Sequence, residues 1–168
     1  MFQFMTIGAV LVVLGKSMVD YLAFRGRAAK WQNRIARSAK RHNVSRHVLG
    51  SILDKESNFR EDIISGKTLG SAGEVGLGQF KPIAARDVGV DFSALPNNPD
   101  LQIDSTAKLV ALNTKRLGGD VLGSVRAYNV GIGDAKKDAS KGTVYMIDVM
   151  RIAALDWIYS GLLTSENN

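Results

Sequence analysis

The chain contains no cysteine in its 168 residues. That excludes disulfides, thiolate metal sites and cysteine nucleophiles together. Histidine is nearly as scarce, with only His42 and His47. They lie five apart and away from any acidic triad, so they are expected on the surface of a basic arm, not as ligands. No metal and no cofactor is expected. Gly131-x-Gly133 is too short for a dinucleotide loop and comes after a helical pattern instead of a strand. Internal repeats and low-complexity tracts are missing too. Acidic residues are almost absent from the N-terminal quarter. Residues 1–47 hold nine Lys or Arg against one Asp, a net charge of +8, whereas residues 48–168 hold 13 against 15, a net −2. The sequence pI of about 9.7 therefore comes from the N-terminal segment. A basic arm beside an apolar segment suggests an anionic membrane surface or polyanion nearby, or else a solvated helix face.

What is present fits one globular domain: 45% hydrophobic and 23% charged residues, in a chain long enough to bury a core unaided. Met1 to Gly15 is almost wholly apolar, and after Lys16 the run resumes to Phe24. A helix of that length reaches across a hydrocarbon core, which takes ~20 residues. Lys16 and Asp20, four apart, can pair on one face. An uncleaved membrane anchor is the favoured reading. A signal peptide would carry a positive charge before the apolar run and a small-x-small site after it, and neither is there. A buried soluble helix is the third reading. The expected map is an anchor at 1–24, a basic linker at 25–31, a main domain at 32–163 and a tail at 164–168.

The rest reads as mostly helical. Ile35, Ala36 and Ala39 share a face of one helix from Trp31. Ser45 is placed to cap the next, whose stripe is Val48, Leu49, Ile52 and Leu53. The segment Gly66–Gly78, with five glycines, predicts a loop or small β-hairpin, because each glycine costs ~1 kcal/mol inside a helix. Next come a short helix over Ile83–Val88, a loop over Ser93–Pro99, a long helix over Asp100–Leu117, and helices over Val121–Asn129 and Val144–Leu163. The expected fold is mostly α: a helical bundle around a cleft, with a small glycine-rich hairpin or loop, preceded by an N-terminal apolar helix.

Glu56 ends an apolar helix just before the glycine-rich segment. Beside Ile52 and Phe59 its carboxyl loses solvation, which raises its pKa and keeps it protonated near neutral pH. That is the state a general acid needs. Most glutamates at helix ends are merely solvated, so the weight lies in a series of motifs in fixed order. Glu56-Ser57-x-Phe59 precedes Gly76-Leu77-Gly78-Gln79-Phe80 with Pro82 behind it. Asn98-Pro99 then opens a long helix, Ala127-Tyr128-Asn129-Val130-Gly131 ends another, and Tyr145-Met146-x-x-Val149 closes the series. From about Trp31 to Tyr159 this resembles the soluble lytic transglycosylase domain, a relative of goose-type lysozyme. There are departures from the family pattern. Gly78 stands for Met, Val130 for Ala, Gly142 for a Glu, and Glu74 for a small residue.

The resemblance implies cleavage of the β-1,4 bond between N-acetylmuramic acid and N-acetylglucosamine in peptidoglycan. Glu56 alone would donate a proton and then accept one from the substrate's C6 hydroxyl, leaving a 1,6-anhydro end. An intramolecular hydroxyl attacks at high effective concentration, so no second carboxylate is required. Ser57, Gln79, Tyr128, Asn129 and Tyr145 are the expected substrate-side residues, with Tyr145 holding the acid in place and Ser57 also able to cap locally. Peptidoglycan strands and a membrane, through residues 1–24, are the expected partners, with other virion or secretion-complex proteins next and no specific nucleic acid. Basic residues behind an apolar span stay cytoplasmic, opposite the wall. A bacteriophage virion membrane, with wall opening during genome entry, avoids that conflict. The bacterial inner membrane or periplasm is the alternative. Two other functions compete: a hydrolytic muramidase using Glu74 as second carboxylate, and a non-catalytic binding or structural module. Glu74, flanked by Gly73 and Gly76, is expected to be a solvated group on a flexible hairpin.

Overall fold

The computed structural model describes the backbone of residues 7–165 and the side chains of residues 16–161. Nine α-helices are described: α1 Ile7–Ala28, α2 Gln32–His42, α3 Arg46–Ser57, α4 Glu61–Ile64, α5 Pro82–Asp87, α6 Pro99–Arg116, α7 Val121–Val130, α8 Ile132–Lys137 and α9 Thr143–Ser165. Two 3-10 turns, Ala29–Trp31 and Phe92–Ala94, join them. The expected glycine-rich hairpin is reduced to one antiparallel bridge, Val75 to Phe80. Both of its backbone bonds are made, at 3.0 and 2.9 Å.

Helix α3 is the hub, packed against α1, α2, α6 and α9. Its start obeys the sequence signal: Ser45 is extended and its side chain accepts from the Val48 N–H. The helix ends because Asn58 and Phe59 both turn left-handed, with φ of 49° and 54°. Leu49 and Leu53 face a core shared with Phe24, Ile35, Ile103 and Ala107. Val48 and Ile52 face a second cluster with Val110, Val125 and Val149. A third cluster, Val75, Phe80, Ala85, Val88, Leu95 and Leu109, fixes the bridge and α5 onto α6.

One buried polar residue organises the glycine-rich loop. Gln102 on α6 is 1% exposed. Its Oε1 accepts from Leu77 N at 2.9 Å, and its Nε2 donates to the carbonyls of Ile64 and Leu95 at 2.9 and 2.7 Å. Gly76, at φ +76°, lies so close that a Cβ there would fall 2.4 Å from the Gln102 amide carbon. Glycine at that position is thus required twice over, by conformation and by contact.

The N-terminal segment is described in part. Among the described residues no helix is long and apolar enough to cross a membrane. Residues 1–6 of the expected anchor, and the side chains of residues 7–15, lie outside the described residues, as do residues 166–168 of the expected tail. The second half of the anchor segment and the expected linker at 25–31 are packed into the domain. Tyr21, Phe24, Ala28 and Trp31 are all buried, Tyr21 stacks on Tyr159, and Trp31 stacks on Phe59. An apolar run reads the same whether lipid or protein covers it, and here protein covers these residues. Five cations of the basic arm are engaged in ion pairs: Arg25 with Asp156, Arg27 with Asp54, Lys30 with Glu61, Arg34 with Asp100 and Arg41 with Asp104. They do not form a free strip for a polyanion. The histidines are also not surface groups of an arm. His42 meets Asp104 at 3.0 Å and His47 meets the buried Asp156 at 2.7 Å. Each ties one helix to another.

Two short helices, α4 and α8, lack a periodic signal in the sequence. The glycines at 131 and 133 look like a simple stop after α7. Gly131 instead turns the chain at φ +84° directly into α8.

Candidate active site

Glu56 lies one residue from the end of α3. Its side chain reaches a cleft of about 650 Å³, walled on one side by the glycine-rich loop and the start of α5, and on the other by the ends of α6, α7 and α8. Apolar packing of α3 on both flanks leaves Glu56 only partly exposed. Burial pushes its carboxyl above the usual range, the hydrogen bond from Tyr145 opposes this, and the charge of Glu74 pushes it further up. Lys55 and Lys81 pull it down by smaller amounts. Desolvation dominates, so the group is biased towards its protonated form, as a general acid requires.

Tyr145, in the first turn of α9, donates its hydroxyl to Glu56 Oε1 at 2.5 Å. Burial holds the phenol well above its ordinary pKa, so it remains a donor. Tyr145 is not among the residues that face the cleft. Its bond thus reaches the Glu56 carboxyl from outside the cleft lining. Tyr128, at the end of α7, does face the cleft. Its hydroxyl donates to the Gly78 carbonyl at 2.6 Å and approaches Thr106 Oγ1 at 3.5 Å. Burial raises its pKa as well, so the phenol stays neutral and ties α7 to the loop.

That bond explains Gly78. A Cβ there would sit 2.2 Å from Thr106 Oγ1 and 2.7 Å from the Tyr128 hydroxyl. The missing side chain does not leave a gap in the wall, because Tyr128 and Thr106 occupy its place. Gln79 sits in the left-handed region at φ 46°, unusual for a side-chain-bearing residue. Its Nε2 donates to Gly76 O at 3.0 Å, which leaves Oε1 as its spare acceptor. Asn129 is exposed and lines the cleft beside Tyr128.

Of the expected substrate-side residues, the structure brings Gln79, Tyr128 and Asn129 to the cleft with Glu56. Ser57 is a correction. It is 2% exposed, donates to Leu53 O at 2.8 Å and accepts from Phe59 N at 3.2 Å. One helical step of ~100° from Glu56 turns it into the core, where it braces the left-handed exit from α3. Glu74 is another correction. Its side chain is 15% exposed, with Oε1 at 3.2 Å from Lys81 Nζ and Oε2 accepting from Ala72 N at 2.9 Å. The Ala72 N–H, the residue's own N–H and Lys81 hold its carboxyl below the usual range. It is a fixed, ionised wall of the cleft. Sequence reasoning missed Gln102 and Thr106, whose partners Leu77, Ile64 and Tyr128 are far along the chain, and Lys81, whose partner Glu74 is near in sequence but is brought to it by the fold of the glycine-rich loop. Among the described residues no group of three His, Cys, Asp or Glu could hold a metal ion.

Fold and cleft together define a lysozyme-like helical domain with one raised carboxyl, Glu56, in a cleft whose wall combines neutral amides and hydroxyls with the Glu74–Lys81 pair. The family model described as "Transglycosylase SLT domain" matches residues 33–145. The chain belongs to that family. It is similar in structure to the lytic transglycosylase Slt of Pseudomonas aeruginosa, solved as an inactive glutamate-to-glutamine mutant. The TM-score is 0.62 at 20% identity, over 79% of this chain and 24% of that one. The chain thus spans about a quarter of the length of that relative.

Proposed function

We propose that this chain is a peptidoglycan lytic transglycosylase. It cleaves the β-1,4 bond between N-acetylmuramic acid and N-acetylglucosamine and leaves 1,6-anhydromuramyl ends. The observation that carries the reading is Glu56: a desolvated carboxyl at the cleft, oriented by Tyr145, within the part of the chain that matches the family. Glu56 protonates the glycosidic oxygen as the bond to the anomeric carbon breaks. The resulting carboxylate then takes the proton of the C6 hydroxyl as that oxygen closes on the anomeric carbon, which restores the acid. Gln79 Oε1 and the Asn129 amide offer neutral hydrogen-bonding groups for sugar hydroxyls and acetamides. Glu74 is already engaged by Lys81 and Ala72, which favours this single-acid route over hydrolysis with Glu74 as base. That the relative's glutamate-to-glutamine mutant is inactive supports the same reading.

Digestion of purified sacculi with subsequent mass spectrometry of the fragments tests it. The expected products are anhydro-muropeptides. Glu56→Gln should lower the rate by ~10²–10⁴, the usual cost of a lost acid–base group, with the circular dichroism spectrum unchanged. Products with free reducing ends, or full activity in the variant, would overturn the assignment.

The reading extends to placement. Met1–Gly15 is apolar and leads into the docked half of α1, so it would hold the domain at a membrane. A virion membrane facing the wall during genome delivery suits that arrangement. Full-length protein that fractionates as soluble without detergent overturns the placement and leaves the chemistry untouched.

A further inference from the structure

Glu74 is built into the cleft by several contacts that its sequence neighbourhood does not suggest. Its carbonyl accepts from Gly70 N at 2.9 Å, closing the loop under its side chain. At Gly70 a Cβ would lie 2.3 Å from Glu74 Oε2 and 2.6 Å from Gln79 Oε1. A side chain at this position would push both oxygens aside. Lys81, at the N-cap of α5, clamps the other carboxylate oxygen. The carboxylate is therefore fixed on both oxygens, while Lys81 itself is 54% exposed.

We propose that Glu74, clamped by Lys81, is a positioning residue that acts through space to keep Glu56 in its proton-donating form. This rests on the reading of Glu56 as the acid. The groups that face Glu56 are Lys55 on its own helix, Glu74 on the loop, Lys81 at the start of α5 and Tyr145 on α9, with Tyr128 on α7 close enough to feel its charge. Both lysines and the Tyr145 hydroxyl favour the carboxylate. Glu74 supplies negative potential from the same cleft; Asp87, also on the cleft wall, is paired with Arg116. The proton of Glu74 is lost readily because the Ala72 N–H, its backbone N–H and Lys81 stabilise its charge. Two carboxyls on one cleft are thus driven apart, one ionised and one protonated, and such separation assigns roles to a pair. Lys81 sets the strength of the effect, because it partly cancels the charge that it holds in place.

The sign of two substitutions tests this. Glu74→Gln removes the negative charge and keeps the shape. Lys81→Met removes the positive charge. The Glu56 carboxyl is titrated by carbon NMR, and the pH profile of muropeptide release is measured in parallel. Glu74→Gln should move the Glu56 midpoint and the alkaline limb of the profile to lower pH, and Lys81→Met should move both to higher pH. Both displacements should shrink as salt is raised, because the cleft is open to counterions. Shifts in the same direction, or an unmoved midpoint with activity lost at every pH, would show a structural role and overturn the proposal. Loss as deep as in Glu56→Gln, from an enzyme that releases reducing ends, would make Glu74 a hydrolytic base and overturn it too. Opposite shifts of the Glu56 midpoint in a protein that releases no sugar would uphold the electrostatics and refute the proposed function instead. Should Glu74→Gln fail to fold, Glu74→Ala is titrated in its place with the same downward shift expected, and an unmoved Glu56 midpoint in it overturns the proposal.

Discussion

Tyr145→Phe removes one oxygen and leaves the ring in its cluster beside Val149 and Met146. What is lost is the 2.5 Å bond to Glu56 Oε1, which joins α9 to α3 across 89 residues of sequence. A hydrogen bond to a charged group contributes ~1.5–3 kcal/mol, and ~1.4 kcal/mol is tenfold in rate. The carboxylate left after proton donation is the form that this hydroxyl stabilises most, so most of the energy belongs to the reacting enzyme. The expected fall in kcat is therefore ~10–100-fold, smaller than for Glu56→Gln. The pH profile moves as well. Tyr145 draws the Glu56 pKa down, so its removal sends the alkaline limb upward, opposite to Glu74→Gln. The assay is the initial rate of anhydro-muropeptide release over a pH series, with melting temperature as the control for folding. Unchanged kcat, or a limb displaced downward, would refute the claim that this phenol orients the acid and favours its ionised form.

The same geometry sets other expectations. Glu56 is raised in the folded state, so its contribution to stability is complete below the unfolded pKa and is lost as pH rises through the folded one. Glu56→Gln should accordingly gain melting temperature relative to the parent as pH increases, and equal differences at all pH would contradict the burial argument. Deletion of residues 1–15 should leave the core intact, whereas deletion through Phe24 removes Tyr21 and the 1% exposed Phe24 ring. Loss of a buried Phe costs ~3–5 kcal/mol, enough to show in denaturant unfolding, and identical midpoints for the two truncations would refute the docking of α1. Gly78→Met, which restores the usual family residue, should destabilise by ~1–3 kcal/mol through overpacking against Thr106 and Tyr128. At this chain length each kcal/mol lowers the melting temperature by ~2–4 °C, and an unchanged midpoint would show that the loop yields freely.

Much of the scaffold is legible in the sequence because caps and periodicity are local. Ser45 before α3 and Asn98-Pro99 before α6 mark starts that the structure keeps, with Asn98 accepting from Leu101 N. The raised Glu56 carboxyl is legible because it ends an apolar helix, although Phe59 lies past the left-handed exit from α3 and shares no helix face with Ile52. What is not legible depends on partners distant in sequence. Gln102 looks like a polar interruption in the stripe of α6, yet it satisfies backbone groups 25, 38 and 7 residues away. His47 looks like part of a basic run until Asp156, 109 residues on, is brought beside it. Ser57 departs from expectation because adjacency to the acid in sequence means a different direction on a helix. Glu74 departs from it because glycine neighbours suggest mobility, and in this loop they admit close contacts instead.

Helix α3 has consequences for anyone who would modify the protein. Eight of its twelve residues are buried. Of the outward ones, His47 is bound to Asp156 and Lys55 to Asp148, and Glu56 is bonded to Tyr145 at the cleft and is the proposed acid. Arg46, at the first position, is the remaining one, and its Nε is directed at His47. The helix has no spare surface on which a label, a tag or a solubilising charge can be placed without disturbing the core, a tie between helices, or the acid itself. Handles belong on elements that keep a free side, such as Lys40 on α2 or Lys136 on α8, both exposed.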